Sequence, residues 1–200
     1  MDIDPSHTAV IAVHWQNDIV SSQGAFGAFF GAMVEKHRLI PHVADVLGRL
    51  RGAGLLVIHV RVCYRQGYPD LIVNNGFFGL IEETGALLHG SWGAEIVPEL
   101  APQDGDVVVE ARRVTGFPGT DLDIILRANG IRTLLICGVA TNATVEGTAR
   151  EGISEGYEVL VLEDCCTAAS EEMHEASIAT LRLIAGVASS DEVLAALAPR

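Results

Sequence analysis

Two kinds of apolar pattern alternate along this chain. Short, almost uninterrupted apolar runs occur at Thr8 to His14, Leu55 to Val60, Asp106 to Glu110, Thr133 to Cys137 and Glu158 to Leu162, with a brief sixth near Val187-Ala188. Runs of this kind predict strands covered on both faces, as in a parallel sheet. Between them, apolar residues recur at helical spacing. From about Met33 to Arg51, the residues Val34, Leu39, Val43, Val46, Leu47 and Leu50 mark one face, and Gly52 or Gly54 stops it. Pro41 either kinks this helix or marks its true first turn. Further helices are predicted over Asp121 to Asn129, capped by Thr120 or its neighbour, and through Val145, Ala149 and Ile153, closed by Gly156. Two more run from about Glu171 to Ile184 and from Asp191 onward.

This regular alternation predicts an α/β fold: a three-layer sandwich around a mostly parallel six-stranded sheet, with 3-2-1-4-5-6 as the simplest doubly wound order. That order brings the ends of strands one, three and four to one crevice. No linker, low-complexity tract or internal repeat interrupts residues 1–200, so one domain is expected. Two connections stand out. Gly24, Gly27 and Gly31 with Phe26, Phe29 and Phe30 read as a glycine-aromatic loop that lines a pocket or packs as a plain connection. Arg61 to Gly79, with Arg65, Tyr68, Pro69 and Asp70, is too long for a simple connector and reads as an active-site loop.

Composition narrows the partners. With 49% apolar residues the chain can bury a substantial core, and a net charge of −13 with no run of basic residues argues against nucleic acid or an anionic membrane surface. Small molecules or other proteins remain. No signal pattern opens the chain and no apolar run approaches the roughly 18 residues of a membrane span, so a cytoplasmic location is expected. The four cysteines, Cys63, Cys137, Cys165 and Cys166, lack CxxC spacing and are expected as reduced thiols. Lys36 is the only lysine.

The chemistry concentrates at Leu134 to Val145, which reads as a buried strand, a glycine turn at Gly138 and a helix start. Unpaired backbone N–H groups and the positive end of a helix meet at such a turn, a setting that suits an oxyanion or a carboxylate.

Five motifs occur in order: His14-Trp15-Gln16-Asn17-Asp18, Gly119-Thr120-Asp121-Leu122, Gly138-Val139-Ala140-Thr141-Asn142, Thr148-Ala149-Arg150, and Gly156-Tyr157-Glu158-Val159 leading to Glu163-Asp164. In these the chain resembles the isochorismatase-like, or cysteine hydrolase, superfamily of nicotinamidases, N-carbamoylsarcosine amidases and isochorismatases. The resemblance implies that superfamily's hydrolase fold, a small-molecule substrate, a homo-oligomer (dimer or tetramer), and a turn whose Val139-Ala140 peptide is often cis. The family's amidases use an Asp–Lys–Cys triad, in which the thiol attacks, the carboxylate takes its proton and the cation holds both in place. The corresponding positions here are His14, Ala111 and Thr144. The scaffold and the site's location therefore carry over, and the amidase triad does not.

Two chemistries remain for such a site. In one, His14 acts as the base for a Thr144 hydroxyl nucleophile. In the other, His14 is a general acid, as a carboxyl group is in relatives that hydrolyse a vinyl ether without cysteine. Either suits a small carboxylated or carbonyl-bearing molecule. Arg112 or Arg113 would hold its carboxylate, the Val139-Ala140 backbone its oxyanion, and Trp15 and Phe117 would line the crevice. Asp18 matches a position that is mainly structural. No metal or cofactor is expected, since nicotinamidases gather an Asp and histidines after strand two, whereas here His59 is followed by Arg61, Arg65 and Asp70. The competing expectation is a catalytically silent member that binds a ligand or assembles.

Overall fold

The computed structural model describes residues 3–197. Its six strands are β1 (Thr8–Val13), β2 (Leu56–Val62), β3 (Val107–Ala111), β4 (Thr133–Val139), β5 (Glu158–Thr167) and β6 (Gly186–Ala188). They form one sheet in the order β3-β2-β1-β4-β5-β6, and every neighbouring pair is parallel. The fold class and strand order are those expected. Every residue of β1 is buried, as the centre of a sheet covered on both faces requires.

The helices are α1 (Asn17–Val20), α2 (Gly27–Lys36), α3 (Leu39–Gly52), α4 (Gly76–Thr84), α5 (Leu122–Ala128), α6 (Glu146–Ser154), α7 (Glu171–Leu181) and α8 (Ser190–Leu197). In α3 the stripe Val43, Val46, Leu47 and Leu50 packs inward, and helix burial of this kind supplies most of the stability of such a layer. Among the described residues no helix is long and apolar enough to cross a membrane.

Three expectations are corrected. The predicted helix from Met33 to Arg51 is two helices, broken at Arg38, whose φ of 51° is left-handed, and Pro41 falls in the first turn of α3, where its missing N–H costs nothing. The glycine-aromatic loop ends early, because α2 starts at Gly27 and holds Phe29, Phe30 and Gly31 in helix. The long excursion after β2 is shorter too: β2 continues to Val62, and α4 begins at Gly76 behind an Asn75 cap whose side chain accepts from Phe78 N at 3.1 Å.

The turn after β1 is locked by side chains from the His14 to Asp18 motif. Gln16 donates from Nε2 to the carbonyls of Val62 and Ala94 at 2.7 and 2.9 Å, and its Oε1 accepts from Val62 N at 2.7 Å. Asp18 accepts from Ala25 N at 3.2 Å and Leu87 N at 2.8 Å. Gly93 lies against the Asp18 carboxylate, where any Cβ would collide with it. These buried bonds draw the loop after β1, the segment after α4 and the 92–95 turn around the C-terminal end of β1.

Candidate active site

At the C-terminal ends of β1 and β4 the chain encloses a cavity of about 350 Å³. One wall is the turn after β4. There Gly138 has φ 144°, and a Cβ would strike the Val13 carbonyl, so only glycine brings β4 this close to β1. The Val139–Ala140 peptide is cis. The chain then widens into a single π-type turn over Thr141–Val145, with Val145 N bonded to Ala140 O at 3.2 Å, before α6 begins. Wide turns of this type recur at functional sites. From α7, His174 Nδ1 meets Thr141 Oγ1 at 2.8 Å and the Ser177 hydroxyl donates to the Thr141 carbonyl at 3.2 Å, which fastens the turn from behind.

His14 stands opposite. Its φ of 58° is left-handed, a conformation that costs a non-glycine residue about 1–2 kcal/mol and that swings the side chain off the strand toward the cavity. The backbone is held by His14 N donating to Val60 O at 2.9 Å. His14 Nδ1 lies 3.1 Å from Thr144 Oγ1. The two residues are only 5% and 4% exposed, and both line the cavity. Burial pushes the His14 pKa down to about 4, so the imidazole is neutral near pH 7 and its Nδ1 can accept the Thr144 hydroxyl proton. His14 Nε2 is buried without a hydrogen-bond partner among the described residues.

The rest of the triad positions offer no replacement chemistry. Ala111 is fully buried at the end of β3, and Lys36 pairs with Glu171 at 2.6 Å on the surface. Burial raises the pKa of the Cys63, Cys165 and Cys166 thiols and pushes Cys137 up to about 12, which disfavours the thiolate form at all four.

The two arginines divide the work. Arg112 is committed to ion pairs, Nε to Asp70 at 2.7 Å and a terminal nitrogen to Glu110 at 3.3 Å, and it does not reach the cavity. Arg113 lines the cavity with its guanidinium 4.5 Å above the Phe78 ring. Its nitrogens donate only to the Ile72 carbonyl and the Asn74 side chain, at 3.3 and 3.4 Å, and among the described residues it has no carboxylate partner. Two further expected lining residues lie elsewhere. Trp15 is 1% exposed, in the core and not on the cavity wall. Phe117 pairs with Tyr157 at 6.2 Å between centroids, against α6 and away from the cavity.

The cavity's apolar wall comes largely from the two stretches expected to line a site, Arg61 to Gly79 and the glycine-aromatic segment, although its helical residues are not the open loops expected there. Tyr64, Phe77, Phe78 and Ile81 supply it from the segment after β2 and from α4, joined by Phe30 of α2 and Met173 of α7. The signal was present in the spacing of Phe77, Phe78 and Ile81 behind the Asn75 cap.

The turn after β4 thus faces the buried His14 across a cavity at the C-terminal ends of the central strands. The sequence matches the isochorismatase domain over residues 8–192. It is 32% identical, over 96% of this chain and 84% of the relative, to the ureidoacrylate amidohydrolase RutB of Acinetobacter baylyi. Among solved structures it resembles a cysteine hydrolase from Pseudomonas syringae pv. phaseolicola 1448A at a TM-score of 0.88 and 26% identity, covering 98% of this chain and 95% of that one. It also resembles N-carbamoylsarcosine amidase from Thermoplasma acidophilum at 0.74 and 27%, covering 92% and 96%. The chain belongs to the isochorismatase family and is an isochorismatase-family hydrolase.

Proposed function

We propose that the protein hydrolyses an amide or ureide bond of a small apolar carboxylate, with Thr144 as nucleophile and His14 as its base. The observation that carries this reading is the 3.1 Å contact between Thr144 Oγ1 and His14 Nδ1 on the cavity wall. The Thr144 oxygen attacks the carbonyl carbon while its proton passes to His14 Nδ1 and then to the departing nitrogen. Water, deprotonated by the same imidazole, releases the acyl group from Thr144. Backbone N–H groups of the turn after β4 face the developing oxyanion. Arg113 takes the substrate carboxylate, and the walls from Tyr64, Phe77 and Phe78 take its apolar body. The amidohydrolase and amidase names of the relatives support the choice of a C–N bond.

The neutral state of His14 supports one of its two expected roles over the other. An imidazole with a pKa near 4 carries no proton to give at neutral pH, which disfavours the general-acid, vinyl-ether route and favours the base. A base that weak also sets a modest rate.

One observation favours a second reading, a silent member that binds without turnover: among the described residues no group pairs with His14 Nε2 to orient the ring as a carboxylate would. A panel of N-acyl and N-carbamoyl derivatives of small apolar acids separates the two. Turnover by the wild type that is lost in Thr144→Ala supports the hydrolase, whereas tight binding of a panel member without turnover supports the silent reading.

A further inference from the structure

We propose that the corner between α3, β5 and α8 is a binding site for a soft divalent transition-metal ion of the zinc class, ligated by His42 Nε2, an Asp164 carboxylate oxygen and Cys165 Sγ. The ligand atoms of these three residues all lie within 4.8 Å of one another, and His42 Nε2 is 3.2 Å from Asp164 Oδ2. Donors held at about 2.0–2.3 Å from one tetrahedral ion stand about 3.3–3.8 Å apart, so the corner needs only a small adjustment to close on a metal. Imidazole, carboxylate and thiolate together form the borderline-soft set that zinc favours over magnesium or calcium.

The backbone explains how two consecutive residues of a strand contribute. Regular strands point successive side chains to opposite faces. Between β4 and β5 the pairing slips: Ile136 faces Val161 but Gly138 faces Cys166, so β5 advances five residues where β4 advances two. The bulge breaks the alternation at Leu162 to Cys165 and lets Asp164 and Cys165 converge on α3, the re-aiming that bulges perform beside functional sites.

A supporting group holds the carboxylate. Ser190, at the start of α8, donates its backbone N–H to Asp164 Oδ1 at 2.8 Å and its hydroxyl to Oδ2 at 2.6 Å, and its oxygen is 3.4 Å from His42 Nε2. Ligands of metals are oriented in this way by their outer partners. His42 and Asp164 also line a cavity of about 320 Å³, separate from the one beside His14, whose wall includes His37, His174, Glu163 and Glu171. This polar, acid-rich cavity provides the entry path and leaves the fourth coordination position to water. Binding breaks the His42–Asp164 hydrogen bond and releases the Cys165 thiol proton to solvent.

The test uses the full chain stripped with a chelator and titrated with Co2+, then with Zn2+. The expected result is one Co2+ per chain with a thiolate-to-cobalt charge-transfer band in the near ultraviolet, displaced by Zn2+, and a higher Tm with Zn2+ than without. Cys165→Ser removes the band. His42→Gln, a change at a half-exposed side chain, weakens binding at least about tenfold, and Ser190→Ala weakens it by about tenfold while keeping the band. The proposal is overturned if Co2+ does not bind, if it binds without the band, or if His42→Gln leaves the affinity unchanged.

Discussion

Thr144 Oγ1 and His14 Nδ1 are 3.1 Å apart although 130 positions separate them in the chain. Two strand ends produce this contact. β1 and β4 are direct neighbours with Val13 opposite Gly138, so the residue after each strand emerges at the same edge of the sheet. The left-handed backbone at His14 and the wide turn at Thr141–Val145 then aim the two side chains at each other.

Removing the hydroxyl disables the pair. Thr144→Ala is expected to lower kcat/KM by at least about 100-fold, while Thr144→Ser, which keeps the oxygen, stays within about tenfold of the wild type. Steady-state kinetics on any substrate found in the panel measures both, and equal losses in the two variants would show that the hydroxyl is not the reacting group.

The burial of His14 has a consequence for stability. Its pKa falls from the ordinary 6.5 to about 4 on folding, so between those values the unfolded chain binds the extra proton. Stability therefore rises with pH across that window and levels above it, with a contribution of about 3 kcal/mol from a shift of this size. His59 and His174 are also pushed down by burial and share in the wild-type slope. Guanidinium unfolding of wild type and His14→Gln, inside and above the window, isolates the difference: the variant is expected to lose less stability on acidification, and identical slopes contradict the assignment.

Arg112 and Arg113 are expected to fail in opposite ways. Arg113→Gln raises KM for a carboxylated substrate about tenfold or more with little change in Tm, since its bonds are to a carbonyl and an exposed amide. Arg112→Gln breaks the pairs to Asp70 and Glu110 and costs about 1 kcal/mol in stability, discounted because the groups are partly exposed. Paired thermal melts and KM measurements decide this, and a large KM effect from Arg112→Gln with none from Arg113→Gln reverses the roles.

Gly138→Ala places a methyl group against the Val13 carbonyl at a φ of 144°. The expected loss is about 3 kcal/mol or more, read as a lower denaturant midpoint. An unchanged midpoint would mean that β1 and β4 are not held this close.

Much of this architecture is written locally. The strands read correctly because β1 and β4 are continuous apolar runs that nothing but a doubly covered sheet explains, and the turn at Gly138 is marked by its glycine. The helix break at Arg38 escaped because a non-glycine residue takes the left-handed conformation while the apolar spacing continues past it. That Trp15 lies in the core although it follows His14 directly is visible only in the folded chain. The wall from α4 begins inside the segment read as an active-site loop, and only its helical form is hidden, because the polar start, Arg65 to Asp70, suggests an open loop. The meeting of His42 with Asp164 is a product of tertiary packing across 122 positions and of a bulge that no local pattern announces.

The most direct test of the account is kcat/KM of wild type and His14→Ala on the N-acyl and N-carbamoyl panel, followed from about pH 4 to neutral. Wild-type turnover is expected to rise through the His14 titration near pH 4, to stay level to neutral pH, and to be lost in His14→Ala. Equal turnover in the two proteins would contradict it.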